Sequence, residues 1–356
     1  MTTKEKVLEL LAGAGGSISG EALASECNVS RAAIWKAVNA LRQDGYEIEG
    51  TTNGGYILQD NDVFTAEIFQ KNLAASFPEF SDIHTECFKQ IDSTNTYAKR
   101  VLAECGNLRS GDGSLTEAGQ KYHRAVFVAE SQTAGRGRLG RTFVSPEKSG
   151  IYISLIYAPE GGVTNPAGLT ACTAVAVCRA LSALYGNAGL EPKVKWINDI
   201  FAGGKKLCGI LAEGVANFES GMIESAVVGI GIDVRRNAAL DEELSKVVGS
   251  LEEAVGDMTF NRAVIAAEVA GQVLKIFEEN KTEAGHAAIM EEYRAASFLI
   301  GQELTVYPLI GDDKSSYKAK AVAIDDNAGL VVELADGSKK TLSSGEVSLK
   351  SSSVLR

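Results

Sequence analysis

Near the N-terminus apolar residues recur at helical spacing. Val7, Leu8 and Leu11 mark a first helix over Lys4 to Leu11. Ser19 can cap a second helix to about Glu26, and Asn28 supplies a tight turn. Ser30 caps a third helix to about Asp44, with Gly45 as its stop. Ile34, Val38 and Leu41 fall on one face of that third helix. The pattern then switches to alternation, in Tyr46-Glu47-Ile48-Glu49 and Tyr56-Ile57-Leu58 around Asn53-Gly54-Gly55, which predicts a hairpin. Three helices and a hairpin are the layout of a winged helix-turn-helix over residues 1–62.

From 63 to 297 strands and helices interleave. Strands are predicted at Ile83 to Ile91, Ala125 to Glu130, Gly150 to Tyr157, Val194 to Trp196, Leu207 to Glu213 and Ala226 to Ile232. Helices are predicted at Ala167 to Tyr185, apolar enough to be buried, and at Phe260 to Glu279 and Glu283 to Ala296. Residues 106–124, polar and glycine-rich, are expected to form an exposed loop. This is an α+β domain with a mixed sheet. From Phe298 to 356 the pattern is short strands only, at Glu303 to Tyr307, Tyr317 to Ile324, Leu330 to Leu334 and Lys339 to Leu342, the size of an SH3-like β-barrel.

Composition narrows the setting. The chain has 356 residues and a formal net charge of −11, which argues against nonspecific nucleic-acid binding. No run of about 18 apolar residues predicts a membrane span, and no secretory signal is legible at the start. The cysteines at 27, 87, 105, 172, 178 and 208 form no metal spacing and are expected to be reduced, mostly buried thiols, so a cytoplasmic setting is expected. The three histidines lie far apart, which leaves a His-activated nucleophile without support.

The third helix carries Ser30, Arg31, Ala32, Trp35, Lys36, Asn39 and Arg42 off its apolar stripe, with no acid until Asp44. That suits a DNA-facing surface better than the alternative, a helical protein-docking module. The segment as a whole holds five Lys/Arg against nine Asp/Glu, so one copy should bind weakly and useful affinity should need two copies on paired half-sites.

The densest chemistry is Gly135-Arg136-Gly137-Arg138-Leu139-Gly140-Arg141: cations on a backbone that orders most readily around an anion. Four other segments join it. Asp92-Ser93-Thr94-Asn95 suits a polar ligand head, or caps a helix. Gln132 leads into the arginine loop. Lys195-Trp196-Ile197-Asn198-Asp199 suits a Mg²⁺-bound triphosphate, or is a surface turn. Lys206 and Gly209 follow a Gly-led hairpin, and Gly229-Ile230-Gly231-Ile232-Asp233 ends a strand with small residues; neither is a Walker or Rossmann loop. Cations, oxygen ligands and no nucleophile fit adenylation, in which a carboxylate attacks the α-phosphate of ATP.

These segments, from Ser93-Thr94-Asn95 through the arginine loop, Lys195 to Asp199, Lys206 to Leu211 and Gly229 to Ile232, resemble biotin–protein ligases. With Ser30 to Ile34 and the wing, the chain resembles the bifunctional form that also represses biotin genes. The resemblance implies a class II synthetase-like catalytic domain. It implies contacts to biotin or biotinyl-AMP from Ser93, Thr94, Asn95, Gln132, Gly135, Arg136, Gly137, Arg138, Lys206 and Gly209. ATP would be served by Arg141, Phe143, Lys195, Asn198, Asp199 and Asp233, with Asp199 a ligand for Mg²⁺ and Arg138, Lys206, Asp199 and Lys195 as the catalytic set. A biotin carboxyl carrier domain would be the acceptor, and an adenylate-bound homodimer would bind operator DNA.

Three positions depart from the family: Phe143 stands for Trp, Ile197 for Pro and Asp233 for Asn. A carboxylate near a triphosphate should repel it, so Asp233→Asn is expected to tighten ATP or lower the Mg²⁺ requirement. Two other readings stay open on the residues alone: a lipoate–protein ligase, which normally lacks the winged helix, and a biotin-sensing repressor without transferase activity.

Overall fold

The computed structural model describes residues 2–14, 16–43, 46–51, 54–59, 62, 64–216, 221–256, 258–307 and 315–349. Gly45 and Asn53, assigned above to a helix stop and a turn, lie outside them. The chain divides into two compact units, 1–64 with 259–263, and 65–258 with 264–356.

In the first unit α1 (Thr3–Gly13), α2 (Gly20–Cys27) and α3 (Arg31–Gln43) precede a hairpin of β1 (Ile48–Thr51) and β2 (Gly55–Leu58). Local chemistry sets the ends. Ser19 caps α2 by accepting from the Ala22 amide, and Asn28 ends it in the left-handed region at φ 51°. Val7, Leu11, Leu23, Ile34, Val38 and Leu41 form the core. Tyr56 of β2 pairs with Ile18, which ties the wing to the start of α2. This is the winged helix-turn-helix expected from the pattern.

The second unit is built on a seven-stranded sheet. Its elements are α4 (Ala66–Ser76), β3 (Thr85–Phe88), α5 (Thr94–Cys105), α6 (Glu117–Tyr122), β4 (Val126–Ala129), β5 (Gly150–Tyr157), α7 (Pro166–Tyr185), β6 (Lys193–Lys195), β7 (Asp199–Ala202), β8 (Lys205–Ala216), β9 (Ile223–Asp233), α8 (Glu242–Val247), α9 (Leu251–Val255), α10 (Arg262–Glu279) and α11 (Glu283–Ala296). The strand order is β3-β4-β5-β9-β8-β7-β6, mixed because β3 and β4 alone run parallel. Asn95 of α5 bonds Ser154 of β5, so α5 covers one face. The other face lies under α7, and Phe277 of α10 stacks on Tyr157 at 4.4 Å.

With its continuation to Ala188, α7 is long and apolar enough by composition to cross a membrane. It is instead a core helix, packed on β7, β8 and α11, with 67% of its most apolar stretch buried.

Two expectations are corrected. Residues 106–124 are not a featureless exposed loop. Leu108 is buried with Ala98, Leu102 and Phe127, the backbone of Arg109 bridges to Leu115, and Thr116 caps α6. The apolar anchors are too few and too widely spaced to show as a period. The cysteines are also less buried than expected: Cys172 and Cys208 are buried and the other four half-buried, all six as free thiols.

The C-terminal strands β10 (Glu303–Tyr307), β11 (Tyr317–Ile324), β12 (Leu330–Glu333), β13 (Lys339–Leu342) and β14 (Glu346–Leu349) form one antiparallel sheet in the order β13-β12-β11-β10-β14, around Leu304, Val306, Ala321, Leu330 and Val332. The Trp196 indole donates to the Ala328 carbonyl at 2.8 Å, and Arg294 of α11 donates to the Ile324 carbonyl at 2.8 Å. These bonds fix the β-rich end against the strand that leads into the site.

Candidate active site

The register of the sheet brings the conspicuous segments together. Asp199 of β7 pairs with Gly209 of β8, and Gly209 pairs with Gly231 of β9. Alternation puts Gly229, Gly231 and Asp233 on one face of β9 and Gly209, Leu211 and Glu213 on the same face of β8. The glycines are needed for space. A Cβ on Gly231 would stand 2.6 Å from Cζ of Phe143, and one on Gly229 would stand 2.2 Å from Oδ1 of Asn95. The Phe143 ring therefore lies directly on the strand, edge-on to Tyr152 at 6.2 Å.

The arginine loop has a hydrogen-bond ladder of its own. Phe143 donates to the Gly135 carbonyl at 2.9 Å and Gly137 to the Arg141 carbonyl at 2.7 Å, and a single 3-10 turn (Arg138–Gly140) forms the tip.

Two clefts share the walls Gly137, Arg138, Phe143, Asn198 and Lys206. The smaller, about 460 Å³, is bounded by Ser93, Thr94, Asn95, Gln132 and Arg136 and floored by Gly209, Gly229 and Gly231. Here Thr94 donates its amide to the Gln132 side chain at 2.9 Å, and Gln132 donates to Ser145 at 3.0 Å. Ser93 caps α5 by accepting from the Thr96 amide. Asn95 is held inside by Ser154 and donates to Glu213 at 2.9 Å. Glu213 also takes Lys99 at 2.7 Å and Arg136 at 3.5 Å. Burial pushes its carboxyl up, but these partners outweigh that and hold it below the ordinary value.

The larger cleft, about 1190 Å³ and open to solvent, holds Lys195, Asp199, Lys206, Arg141 and Asp233. Arg138 donates to the Asn198 side chain at 2.7 Å and to the Gly345 carbonyl, between β13 and β14, at 3.4 Å. Lys206 pairs with Asp199 at 2.8 Å. Lys195 is buried, 6.0 Å over the Phe201 ring. Burial raises Asp233 to about 7, against the opposing pull of Lys206. Among the described residues no group of three or more His, Cys, Asp or Glu could hold a metal.

The residues assigned above to biotin, ATP and Mg²⁺ thus line one of the two clefts or belong to the loop between them, whereas Ile197 and Asp92 line neither cleft. Ser93 caps α5, in keeping with the capping alternative, and Asn95 is bound largely to protein. Sequence reasoning missed Glu213, Ser154 and Lys99, which pack behind the arginine loop, and Tyr293, whose hydroxyl donates to the Ile197 carbonyl at 3.0 Å. An acid two residues beyond the Lys206 to Leu211 segment carries no signal of its own. The Trp196–Ile197 peptide bond is cis. On α3, Arg31, Ala32, Trp35 and Lys36 are exposed, Trp35 at 57%. Ser30 is spent on capping the Ala33 amide, and Arg42 donates twice to the Ile48 carbonyl, at 2.9 and 2.7 Å, and once to Asn39.

Residues 87–233 match the biotin/lipoate A/B protein ligase family, residues 3–57 an HTH domain and residues 308–350 the biotin protein ligase C-terminal domain. Over 352 residues the chain is 31% identical to the bifunctional ligase/repressor BirA of Bacillus spizizenii, covering 96% of this chain and 97% of that one. Its counterpart from Escherichia coli is 28% identical over 353 residues, covering 98% of each. The fold is similar to that of the Aquifex aeolicus biotin protein ligase solved with biotin and ATP, with a TM-score of 0.58 at 24% identity over 76% of this chain and 99% of that one. A full-length relative of this kind, on a chain whose two clefts meet at an arginine and a lysine, decides the assignment: this protein belongs to the family of bifunctional biotin ligase/repressors.

Proposed function

We propose that this chain joins biotin to ATP in the two adjoining clefts, transfers the biotinyl group to a lysine of a biotin carboxyl carrier domain, and uses the biotinyl-AMP-bound state to repress biotin genes from its winged helix. As a family member it is a biotin–protein ligase with a repressor-type DNA-binding unit. The observation that carries the reading is the shared wall: Arg138, Lys206 and Phe143 border both clefts, so a carboxylate in one can meet an α-phosphate in the other.

In the first step a biotin carboxylate oxygen forms a bond to the α-phosphorus and the bond to pyrophosphate breaks. Two anions must approach, and Arg138 and Lys206 offset their repulsion. Lys195 and Arg141 suit the leaving phosphates. Asp199 and the Asn198 side-chain oxygen would hold a Mg²⁺ arriving with ATP, which would offset the phosphate charge. In the second step the carrier amine attacks the acyl carbon, the bond to AMP breaks, and the amine gives up a proton. The closed arginine loop keeps water from the anhydride in the interval.

Arg31, Ala32, Trp35 and Lys36 are the groups free to face DNA. The acidic balance of that unit makes an adenylate-bound homodimer the form that binds. The setting is the cytoplasm, where carrier, ATP and operator coexist.

Intact mass of a purified carrier domain after incubation with the protein, Mg-ATP and either biotin or lipoate tests the ligase. A biotin-sized gain on one lysine is expected. Operator affinity that is equal with and without biotin plus ATP would remove the repressor switch.

A further inference from the structure

Thr94 and Asn95 line the smaller cleft, but what Thr94 can offer a ligand is decided behind it, by Glu213 and Ser154, which do not line it. Glu213 is held by two cations, Lys99 at 2.7 Å and Arg136 at 3.5 Å, and as a carboxylate it can only accept. The Asn95 side chain meets Glu213 at 2.9 Å and the Leu211 carbonyl at 3.3 Å. Both are acceptors, so the amide nitrogen must face them. The amide oxygen then faces Ser154, whose hydroxyl lies 2.6 Å from it and 2.7 Å from Oγ1 of Thr94. Ser154 is the register partner of Gly229, and the amide fills the space that a Cβ on Gly229 would take. A hydroxyl carries one hydrogen. Because the amide oxygen cannot donate, the Ser154 hydrogen goes to Asn95, and the hydrogen between Ser154 and Thr94 must come from Thr94. Gln132 Oε1, 3.3 Å from the Thr94 hydroxyl, already accepts the Thr94 amide at 2.9 Å. Thr94, Asn95 and Ser154 are all buried, where a contact made the wrong way round would set lone pair against lone pair.

We propose, resting on the placement of biotin in the smaller cleft, that Glu213 and Ser154 are positioning residues that set the hydrogen-bond direction of this slot. The relay from Thr94 through Ser154 and Asn95 to Glu213 turns the Thr94 hydrogen inward and leaves its oxygen as an acceptor for an N–H of the ligand. The cyclic urea of biotin carries N–H donors and its carboxylate carries none. The relay therefore selects the urea for the Thr94 end and leaves the carboxylate for Lys206 and Arg138. A ring with an oxygen in place of that N–H would meet a lone pair. In Glu213→Gln the side chain can donate to Asn95 as well as accept, so the chain can run in either direction and Thr94 can donate outward. Ser154→Ala cuts the chain and frees the Thr94 hydrogen.

The test is equilibrium displacement of radiolabelled biotin from the full-length protein by biotin and by both cyclic carbamate analogues, each with one ureido N–H replaced by a ring oxygen. Biotin-dependent pyrophosphate release is run in parallel. In the wild type, the isomer lacking the N–H that meets Thr94 should bind at least about tenfold more weakly than biotin. In Glu213→Gln and in Ser154→Ala that penalty should shrink by at least about fivefold, while the penalty for the other isomer stays within about twofold. A general loosening of the slot would alter both penalties alike, so the isomer-selective change is a readout that packing alone does not move. The inference is overturned if neither isomer is penalised in the wild type, or if the penalties are unchanged in the variants or change together. Glu213→Gln keeps the side-chain size at a half-buried position, so the comparison stands even if Ser154→Ala misfolds. Isomer-selective change without pyrophosphate release would sink the ligase reading and leave the relay supported. Pyrophosphate release with unchanged penalties would do the reverse.

Discussion

Arg138 and Asn198 meet at 2.7 Å, and through that bond the tip of the arginine loop is fastened to the turn between β6 and β7. The same guanidinium reaches the Gly345 carbonyl, so one side chain touches loop, sheet and C-terminal strands. A lysine is a point charge and cannot hold these directions together. Arg138→Lys is therefore expected to form adenylate more slowly, by about 10- to 100-fold, and to lose it to water faster. AMP release from biotin and ATP without a carrier would measure the leak. Unchanged adenylation and leak would remove Arg138 from the chemistry.

Gly231 is the seat of the Phe143 ring. A methyl group there would stand 2.6 Å from Cζ, so the ring must lift. Gly231→Ala should raise the KM for ATP by about tenfold, a cost in the range of small-to-large changes in packed sites. Because the ring borders both clefts, the KM for biotin should rise too. Steady-state kinetics with each substrate varied would show it, and a rise in neither would mean the ring does not touch ligand.

Asp233 also predicts a stability profile. Its carboxyl is raised to about 7 in the folded chain, chiefly by burial, from an ordinary 3.8. Between those values the folded state holds a proton that the unfolded state has lost. Stability should therefore fall as pH rises through this window, by a few kcal/mol at most. Asp233→Asn should be more stable than wild type at about pH 8 and nearly equal at about pH 4. Urea unfolding at both pH values would check this, and a constant difference would contradict it.

On the DNA-facing helix the cations divide. Arg31 and Lys36 are exposed, so Arg31→Ala or Lys36→Ala should weaken operator binding and lower the salt slope by about 1 each. Arg42 is already bonded to the Ile48 carbonyl. Arg42→Ala should lower the thermal stability of the winged-helix unit, because it leaves the hairpin without its tie to α3. An Arg42→Ala protein that melts normally but loses the salt slope would reverse that division.

What was legible in advance follows from how each feature is encoded. The three winged-helix helices, β5, α7, α11 and four of the C-terminal strands have strong periodicity or caps, and the structure repeats them within a residue or two. Short elements such as β7 and α8 have too few residues to display a period. The 106–124 segment is ordered by long-range anchors, among them Arg109 donating to the Ala158 carbonyl at 2.8 Å, that no local pattern encodes. In the site, cations and glycines announced themselves because their spacing is unusual. Glu213 did not, since its meaning lies in Asn95, Lys99 and Arg136, which are far from it in sequence.

Lys206 with Asp199, Arg136 with Glu213 and Arg138 with Asn198 have one more implication. Each cation is already bound to a group of the protein, two of them to carboxylates, so on the proposed function the pocket would behave less like a trap for anions than like an ion-exchange bed. Binding swaps one counter-charge for another, and added salt weakens the old pairing along with the new one, so affinity should respond to ionic strength less than the number of cations implies. On the proposed function, a phosphate that took Lys206 would free Asp199. Uptake of the anion would then uncover a carboxylate for its accompanying cation, so that the two halves of a metal–nucleotide complex would be drawn in as a couple.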